Sequence, residues 1–283
     1  MRVTVIGGMN LDMLGSPDQA LLPHDSALGK ITVRPGGVGR NIAQRLCEAG
    51  GQVSLITALG NDDRAAILAN SCARLGIDLS HALPTDSPAP SYLCVHDEKG
   101  DMVYAVNDMS AMDALTPDAM KTRMDAVNQS DGCVLDANLP ERTLSYIAQN
   151  AAVPLILDPV SCVKALRAMG ILRYLNAVKP NLLEAKAMTG QDDPVQAAER
   201  LLNRGVRNVF ISLGADGVYY ANDKEKGVVS ARGLPVLPLT GAGDAFCAGM
   251  TLSLLRGDAI RDCAQAGCDA AYRALLRAYK KEM

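Results

Sequence analysis

The most informative stretch of the chain is Leu239-Thr240-Gly241-Ala242-Gly243-Asp244-Ala245-Phe246, a turn with two glycines. It leads into the apolar run Ala245–Leu255, which predicts a buried helix that ends at Gly257. Glycines let the turn bend sharply and approach a ligand, and its backbone N–H groups lie at a helix N-terminus, where anions bind. The stretch therefore predicts an anion-binding turn at the start of a buried helix.

Short apolar runs alternate with longer helical patterns through the rest of the chain. The short runs predict buried strands at Val3–Gly8, Val53–Gly60, Cys133–Ala137, Pro154–Asp158, Ala177–Lys179 and Asn208–Leu213. The longer patterns predict helices at Asn41–Ala49, Arg64–Leu75, Glu141–Asn150, Leu182–Thr189 and Pro194–Arg204. Such alternation predicts a mostly parallel sheet with helices on both faces, and ligands bind beyond the carboxyl ends of its strands.

Two segments interrupt this alternation. Residues 12–34 form an irregular insertion, and residues 88–109 hold two alternating runs, Ser91–Val95 and Met102–Val106, around a turn with Gly100. Taken alone, the second segment fits an ordinary edge hairpin. Taken together, the two segments predict a small antiparallel β-sheet that forms a lid on a single domain of residues 1–283.

Composition and charge narrow the classes of function. The 283 residues carry a net charge of −3, so no basic surface favours nucleic acid as a partner. No apolar stretch approaches the roughly 20 residues of a membrane span. A strand begins at Arg2 without the pattern of a signal peptide, and the eight cysteines are scattered, as is typical of reduced thiols. We expect a cytoplasmic protein that binds neither nucleic acid nor membrane.

Asp244 is the first candidate for chemistry. A carboxylate does not bind phosphate, but in this turn it is placed to take a proton from an attacking hydroxyl as phosphoryl charge develops. The alternative is that Asp244 only caps its own helix. For the glycine turn by itself the two interpretations weigh about evenly.

A second glycine cluster, Pro35-Gly36-Gly37-Val38-Gly39-Arg40-Asn41, precedes a predicted helix. It lacks the Gly-Lys-Ser/Thr ending of a P-loop. Its glycines are expected to admit a small polar ligand beside the Asn41 amide, unless they serve only as a hinge. Asp12, just past the first strand, is placed to bind sugar hydroxyls bidentately.

Two further motifs follow strands. Asn181 and Glu184 share a face of the first helical turn, where an amide and a carboxylate either hold the waters of a magnesium ion or form a capping box. The segment Ser212-Leu213-Gly214-Ala215-Asp216-Gly217 has glycines that suit a nucleotide lying close to the chain. A simple turn between two strands is the alternative for that segment.

The order of these motifs resembles that of the ribokinase-like (PfkB-type) carbohydrate kinases, over almost the whole chain. The resemblance implies a three-layer α/β/α sandwich with a lid, Asp244 as the catalytic base, and an anion hole formed by Gly241, Ala242 and Gly243. It implies ATP as phosphate donor and Mg²⁺ held through water by Asn181 and Glu184. The implied sugar contacts are Asp12, Gly36, Gly37 and Asn41. The implied nucleotide contacts are Asn181, Ser212, Gly214, Gly217, Gly243 and Asp269.

Within the family, the resemblance is closest to members that phosphorylate the 5′-hydroxyl of pseudouridine. It is carried by residues 35–44, Ser91-Tyr92-Leu93, Ala105-Val106-Asn107-Asp108-Met109 and Leu157-Asp158-Pro159-Val160-Ser161. It implies substrate contacts at Ser91, Asn107 and Asn138, with the Asn107 amide on the lid reading the edge of a uracil ring. The alternatives are a kinase for another nucleoside or a free sugar, such as ribose, adenosine or fructose, and a binding protein that has lost phosphotransfer.

The resemblance also implies a homodimer, because the lid sheets of such kinases often cover each other's apolar faces. Two departures from the family pattern stand out. Pro238 and Leu239 occupy positions where relatives carry Asp or Asn and then a small hydroxyl or β-branched residue, which puts a K⁺ site in doubt. After residues 267–271, Tyr272–Lys281 is expected to form a charged helix instead of the further loop and helix of relatives, so nucleotide affinity or choice is expected to differ.

Overall fold

The computed structural model of the protein describes residues 1–232 and 241–282. The strands are β1 Arg2–Ile6, β2 Asn10–Pro17, β3 Gly29–Gly36, β4 Gln52–Ile56, β5 Ala58–Leu59, β6 Ile77–Asp78, β7 Leu83–Pro84, β8 Ser91–His96, β9 Met102–Asp108, β10 Gly132–Asp136, β11 Leu155–Asp158, β12 Ala177–Val178, β13 Asn208–Ser212, β14 Val218–Ala221 and β15 Lys226–Val229. The helices are α1 Val38–Glu48, α2 Asp63–Leu75, α3 Pro117–Lys121, α4 Met124–Asn128, α5 Glu141–Asn150, α6 Cys162–Ala165, α7 Leu182–Thr189, α8 Pro194–Asn203, α9 Ala242–Arg256 and α10 Ile260–Glu282.

Within the described residues, nine strands form the main sheet, in the order β15-β14-β13-β12-β11-β10-β1-β4-β6. The pairs from β13 to β6 are parallel, and β14 and β15 join antiparallel at one edge. Successive residues of a strand point to opposite faces. In β1, Val5 packs into a cluster with α1, α2, α9 and α10, whereas Ile6 packs into a cluster with α3, α4, α5, α7 and α8. The fold is therefore the predicted three-layer α/β/α sandwich.

Each of the strands and helices predicted from periodicity is present, with ends that shift by a few residues. The strand predicted at Val53–Gly60 is divided into β4 and β5. Helix α1 begins at Val38, three residues before the predicted Asn41. Its N-cap is Gly37 with φ of 95°, a conformation that a residue with a side chain rarely adopts. The glycine cluster therefore forms the start of the helix as well as the turn before it.

A second sheet stands beside the main one, in the order β3-β2-β8-β9. Its outer pairs, β2 with β3 and β8 with β9, are antiparallel. Its central pair, β2 with β8, is parallel, a detail that the expectation of an antiparallel sheet did not include. The reason is that the sheet is two antiparallel ribbons laid side by side with their first strands in contact. The hairpin predicted around Gly100 is one of these ribbons, and Gly100 has a φ of 89°.

The two faces of this second sheet differ in chemistry. Paired residues of neighbouring strands point to the same face, and the pairs Asp12 with Tyr92 and Tyr92 with Asn107 define one of them. The opposite face, which we call the outer face, consists of the exposed residues Ile31, Val33, Leu93, Tyr104 and Val106. Nothing in the described parts of the chain covers it.

The structure adds elements that periodicity did not predict. Short helices α3 and α4 precede β10, and β14 and β15 extend the main sheet. The stretch predicted as a charged helix, 272–281, is the second half of the long helix α10. Among residues 1–232 and 241–282, no helix has the length and apolar character that a membrane crossing requires.

Candidate active site

Asp244 lies half-buried in the first turn of α9. The helix begins after Gly241, whose φ of 88° is in the left-handed region that glycine tolerates. The Asp244 side chain does not cap α9. Its Oδ2 instead accepts a hydrogen bond from Nδ2 of Asn41 on α1, at 3.0 Å. The described contacts therefore join the two glycine turns at one carboxylate and give no support to the helix-cap alternative.

A buried ion pair lies behind Asp244. Lys179 follows β12 and Asp158 ends β11, and Nζ of Lys179 lies 3.0 Å from Oδ2 of Asp158. Burial opposes the charge on Lys179, but the adjacent Asp158 carboxylate holds the pKa of Lys179 above its ordinary value. Lys179 is therefore a fixed cation at the carboxyl ends of the central strands.

The charges around Asp244 set its proton affinity. Burial raises the pKa of Asp244 to about 6, and the Asp158 carboxylate adds to that rise. Lys179, Asn41 and Arg45 oppose it. A carboxyl group with a pKa near 6 is ionised at neutral pH, yet it holds a proton far better than an exposed aspartate does.

The start of α9 and the Lys179 ammonium converge on one point. A side chain at Gly243 would place its Cβ 3.2 Å from Nζ of Lys179. A guanidinium nitrogen of Arg45 lies 3.9 Å from the Cβ position of Gly241. Two cations and the N–H groups of a helix N-terminus therefore surround the turn 241–243, an arrangement that favours a bound anion.

A strained turn holds Asp158 in place. Val160 has a φ of 68°, in the left-handed region that β-branched residues avoid. Its N–H donates to Oδ1 of Asp158 at 2.9 Å, and the N–H of Ser161 donates to the carbonyl of Pro159 at 2.7 Å. Strain of this kind persists only where the surroundings enforce it, and it clusters at functional sites.

The residues expected to hold the sugar lie on the other side of Asp244. Asp12 on β2 is half-buried and accepts a hydrogen bond from Nδ2 of Asn10 at 2.6 Å. Burial raises the pKa of Asp12, and Asn10 and Arg40 limit the rise. A side chain at Gly36 would collide with the Asp12 carboxylate, so glycine at that position leaves the carboxylate its space.

Gly37 serves backbone packing. A Cβ on Gly37 would come within 2.7 Å of Cα of Met9. The positive φ of Gly37 also favours glycine, so both the space and the backbone conformation exclude a side chain there. Gly36, Gly37 and Asn41 therefore lie at the junction of β3, α1 and the loop after β1, and Asp12 lies beside them. The structure brings these four predicted residues together.

The other predicted substrate contacts, Asn107, Ser91 and Asn138, differ in how they lie relative to Asp12 and Asn41. Asn107 is exposed on β9 but shares the Asp12 face of the second sheet, two strands or about 10 Å away. Ser91 is buried, and its hydroxyl donates to the carbonyl of Ala89 and accepts from Arg64. No described contact joins Ser91 to Asp12 or Asn41.

Asn138 is tied to a lysine that sequence patterns did not single out. Its Oδ1 accepts from Nζ of Lys164 at 2.6 Å. A Cβ at Gly8 would fall 2.7 Å from the Asn138 amide nitrogen, so Asn138 lies against the loop after β1. It therefore lies at the same edge of the sheet as the predicted sugar contacts, but nothing described joins it to Asp12.

Five of the six predicted nucleotide contacts line a separate pocket of about 300 Å³. Asn181, Ser212, Gly214, Gly217 and Gly243 all border it. Its far wall is formed by side chains of α9 and α10, among them Phe246, Ala271, Tyr272 and Leu275. Lys179 also borders this pocket, so it opens onto the turn that carries Asp244.

Asp269 is the predicted nucleotide contact that does not line the pocket. Its carboxylate lies 3.5 Å from Arg232, whose guanidinium stacks on the ring of Tyr272. Arg232 and Tyr272 both border the pocket, so Asp269 contacts a residue of the pocket wall without lining the pocket itself. The segment 212–217 also joins β13 to β14, so it is a turn between two strands and a pocket wall at once.

Asn181 and Glu184 form a capping box at the start of α7. The Asn181 side chain accepts from the N–H of Glu184 at 2.8 Å, and Glu184 accepts from the N–H of Asn181 at 2.9 Å. Glu184 is buried, and the cap uses its Oε2. One carboxylate in this position suits a magnesium ion that keeps its waters, and among the described residues no cluster of three or more acidic, histidine or cysteine side chains exists to hold a dehydrated metal.

Three buried residues of the site escaped the sequence patterns. Asp158 and Lys179 form the ion pair, and the buried Asp136 at the end of β10 accepts hydrogen bonds from the backbone of Gly8 and Gly39. All three share a signal that was open to sequence analysis, a charged residue at or just after the end of an apolar strand. Pro238 and Leu239, which bear on the K⁺ expectation, lie outside the described residues.

Known proteins resemble this chain over most of its length. The family described as pfkB family carbohydrate kinase matches residues 1–279. Pseudouridine kinase of Escherichia coli is 35% identical over 257 residues, which cover 88% of this chain and 82% of that protein. Pseudouridine kinase of Arabidopsis thaliana is 26% identical over 246 residues, 77% of this chain and 64% of that protein. The crystal structure of ribokinase from Thermotoga maritima superposes with a TM-score of 0.84 at 25% identity, covering 96% of this chain and 91% of that chain.

Proposed function

The chain belongs to the pfkB family of carbohydrate kinases, and on that premise we propose that it transfers the γ-phosphate of ATP to the 5′-hydroxyl of a nucleoside, pseudouridine. The observation that carries the proposal is the position of Asp244. On one side its carboxylate is bonded to Asn41, one of the proposed acceptor residues. On the other side lies the pocket that Gly243 and Lys179 border. A base at this junction is within reach of an acceptor hydroxyl on one side and a phosphate on the other.

Each part of the junction has a task in this proposal. Asp244 takes the proton of the attacking hydroxyl, for which its pKa of about 6 is well matched at neutral pH. The N–H groups of residues 241–243 and the Lys179 ammonium stabilise the negative charge that develops on the transferred phosphoryl group. Asp12 and Asn41 orient the ribose so that its 5′-hydroxyl faces Asp244.

The nucleotide is proposed to occupy the pocket between 212–217 and α10. Glycines 214 and 217 let the ligand approach the backbone, and the apolar wall with Tyr272 and Leu275 suits a purine ring. Asp269 acts here by holding Arg232 against Tyr272. Asn181 and Glu184 are proposed to hold Mg²⁺ through its waters, and the ion would neutralise phosphate charge.

Pseudouridine is the proposed acceptor for two reasons. The Escherichia coli relative at 35% identity and a second relative from Arabidopsis thaliana are both pseudouridine kinases. Asn107 lies on the same face of the second sheet as Asp12, so a ribose at Asp12 would extend its base along that sheet. A side-chain amide offers one donor and one acceptor, which complements the edge of a uracil ring.

An assay of ADP release over a panel of acceptors tests the proposal. The panel holds pseudouridine, uridine, cytidine, adenosine, ribose and fructose. We expect the highest kcat/KM with pseudouridine. Preference for ribose, fructose or adenosine would overturn the substrate and keep the kinase, whereas tight nucleoside binding without turnover of any acceptor would overturn the kinase itself.

The second sheet, 12–34 with 88–109, is proposed as a lid that also forms a homodimer. Its outer face presents five large apolar residues to solvent, with Ile31 80% and Tyr104 70% exposed. A contiguous apolar face of this kind marks an interaction site on a folded protein. Sedimentation equilibrium of the wild type and of Val106→Glu tests it, since the charge is expected to convert a dimer into a monomer. A wild-type monomer at tens of micromolar would overturn the proposed dimer.

A further inference from the structure

Arg40 is a buried arginine beside the proposed base. It lies on α1, next to Asn41, and only 7% of it is exposed. Among the described residues no carboxylate comes within ion-pair distance of its guanidinium. Burying a cation without a partner costs several kcal/mol. Such a residue needs an explanation beyond the packing of α1.

The hydrogen bonds of Arg40 are directed at three neutral oxygens. Nη1 donates to Oδ1 of Asn41 at 3.1 Å and to the carbonyl of Pro35 at 3.4 Å. Nη2 donates to Oγ of Ser71 on α2 at 3.0 Å. Within the described structure Nε has no partner. The guanidinium is therefore anchored on α2 and the end of β3 and delivers one bond to the side chain of Asn41.

That bond fixes which way the Asn41 amide faces. An amide oxygen that accepts from Arg40 directs its own NH₂ group the other way, and Nδ2 of Asn41 donates to Oδ2 of Asp244 at 3.0 Å. A flipped amide would point its oxygen at the Asp244 carboxylate, which repels it. It would also lose the hydrogen bond from Arg40. The three residues therefore form a directed chain, Arg40 to Asn41 to Asp244.

The same cation acts on Asp12. Burial raises the pKa of Asp12, and the charge of Arg40 works against that rise. Pro35, which accepts from Arg40, lies on β3 in the second sheet beside β2, the strand of Asp12. Arg40 is therefore linked to Asp244 through Asn41 and to the strand next to that of Asp12 through Pro35.

We propose that Arg40 is a positioning residue for phosphoryl transfer, one that holds the Asn41 amide as a donor to Asp244. The proposal rests on the proposed function for its kinetic consequences, but the orientation of Asn41 is a property of the free protein. The groups that also face Asp244 are Asp158, Lys179 and Arg45, and none of them contacts Arg40 within the described hydrogen bonds.

The test compares Arg40→Met and Arg40→Lys with Ser71→Ala. Arg40→Met removes the bond to Asn41, and we expect kcat to fall about 30-fold, the effect of one hydrogen bond to a polar group that orients a charge. The acceptor KM rises severalfold, and the ATP KM stays within about twofold because the nucleotide pocket is remote. Ser71→Ala removes another bond of the same guanidinium but leaves its bond to Asn41, so we expect kcat to fall by no more than about threefold.

The pH dependence separates positioning from mere stability. Loss of the Asn41 donor raises the pKa of Asp244, so Arg40→Met moves the acidic limb of kcat/KM up by at least about half a pH unit. In an Asn41→Ala background the same substitution lowers kcat by no more than about threefold, because the pathway is already broken. A limb that stays in place, or one that Ser71→Ala moves equally, would overturn the proposal.

A measurement on the free protein, without any acceptor, tests the role of Arg40 independently of the proposed kinase activity. NMR titration of the ¹³C-labelled Asp244 carboxyl in the free protein measures its pKa directly. We expect this pKa to be higher in Arg40→Met than in the wild type, or higher in Arg40→Lys if the Met variant does not fold. That shift in a protein that phosphorylates no acceptor would overturn the kinase and keep the positioning role. An unshifted carboxyl in both variants would overturn the role of Arg40 whatever the activity.

Discussion

The two sides of the first turn of α9 are built differently. On the proposed acceptor side, Asp12, Arg40 and Asn41 are held by side-chain hydrogen bonds with specific partners. On the proposed nucleotide side, the pocket is bordered by glycines and by apolar side chains of α9 and α10. Directional bonds define one geometry, whereas apolar contacts tolerate small shifts. We therefore expect substitutions on the acceptor side and at the junction to change kcat, and substitutions on the nucleotide side to change KM for ATP.

The largest effect is expected at the junction itself. Asp244→Asn removes the proton acceptor, and we expect kcat to fall about 1,000-fold with KM for both substrates largely kept. Steady-state kinetics measure this, with Asp118→Asn, an exposed residue on α3, as the control. Turnover within tenfold of the wild type would remove Asp244 from the role of base.

Asp244→Asn is also expected to change how the thermal stability of the protein depends on pH. The folded-state pKa of Asp244, about 6, lies above that of an unfolded aspartate. The protonated group therefore stabilises the fold at low pH, and that contribution is lost as pH rises through 6. A neutral asparagine avoids the loss, so Asp244→Asn is expected to raise Tm at pH 7.5 and to leave it unchanged at pH 4. A lower Tm at pH 7.5 would contradict the raised pKa.

The next effect concerns the buried ion pair. Lys179→Met leaves Asp158 charged and unpaired, and we expect a stability loss of about 3–5 kcal/mol together with about a 100-fold fall in kcat. The double variant Asp158→Asn with Lys179→Met removes both charges and is expected to regain most of the stability. Urea denaturation and kinetics on the three proteins separate the two losses. Recovery of kcat in the double variant would show that Lys179 serves only the fold.

A smaller effect follows from pH. Only the ionised Asp244 accepts a proton, and its pKa is about 6. We expect kcat/KM to fall about tenfold from pH 7 to pH 5, with a unit slope below the midpoint. Asp244→Asn should abolish this limb in its residual activity. A limb centred near pH 4 would mean that burial does not raise the pKa of this carboxyl group in solution.

The layout of the fold was accessible from the sequence. Apolar strands and amphipathic helices have periods that depend on local residues, and β1, β10, α5 and α7 lie where these periods predict. The parallel pairing of β2 with β8 was not accessible, because it depends on how two distant ribbons meet. Short helices such as α3 hold too few turns for a period to be recognised.

The site was only partly accessible for a related reason. Asp244, Asn41, Asp12 and the capping box of Asn181 and Glu184 carry local motifs. The Lys179 pair with Asp158 joins the ends of two strands 21 residues apart in sequence, and only the tertiary fold brings them to 3.0 Å. The directed chain from Arg40 is likewise invisible in the motif around it, since its anchor Ser71 lies on another helix.

The smallest effect is expected in the apolar wall of the nucleotide pocket. Leu275 on α10 borders the pocket, and Leu275→Ala removes apolar contact without any directional bond. We expect KM for ATP to rise about fivefold, with kcat and the acceptor KM unchanged. Leu276→Ala, on the same helix but outside the pocket lining, controls for a general effect on α10. If Leu275→Ala instead lowered kcat as strongly as changes at the junction, the two sides of α9 would share one rigid geometry, and the contrast between directional and apolar construction would fail.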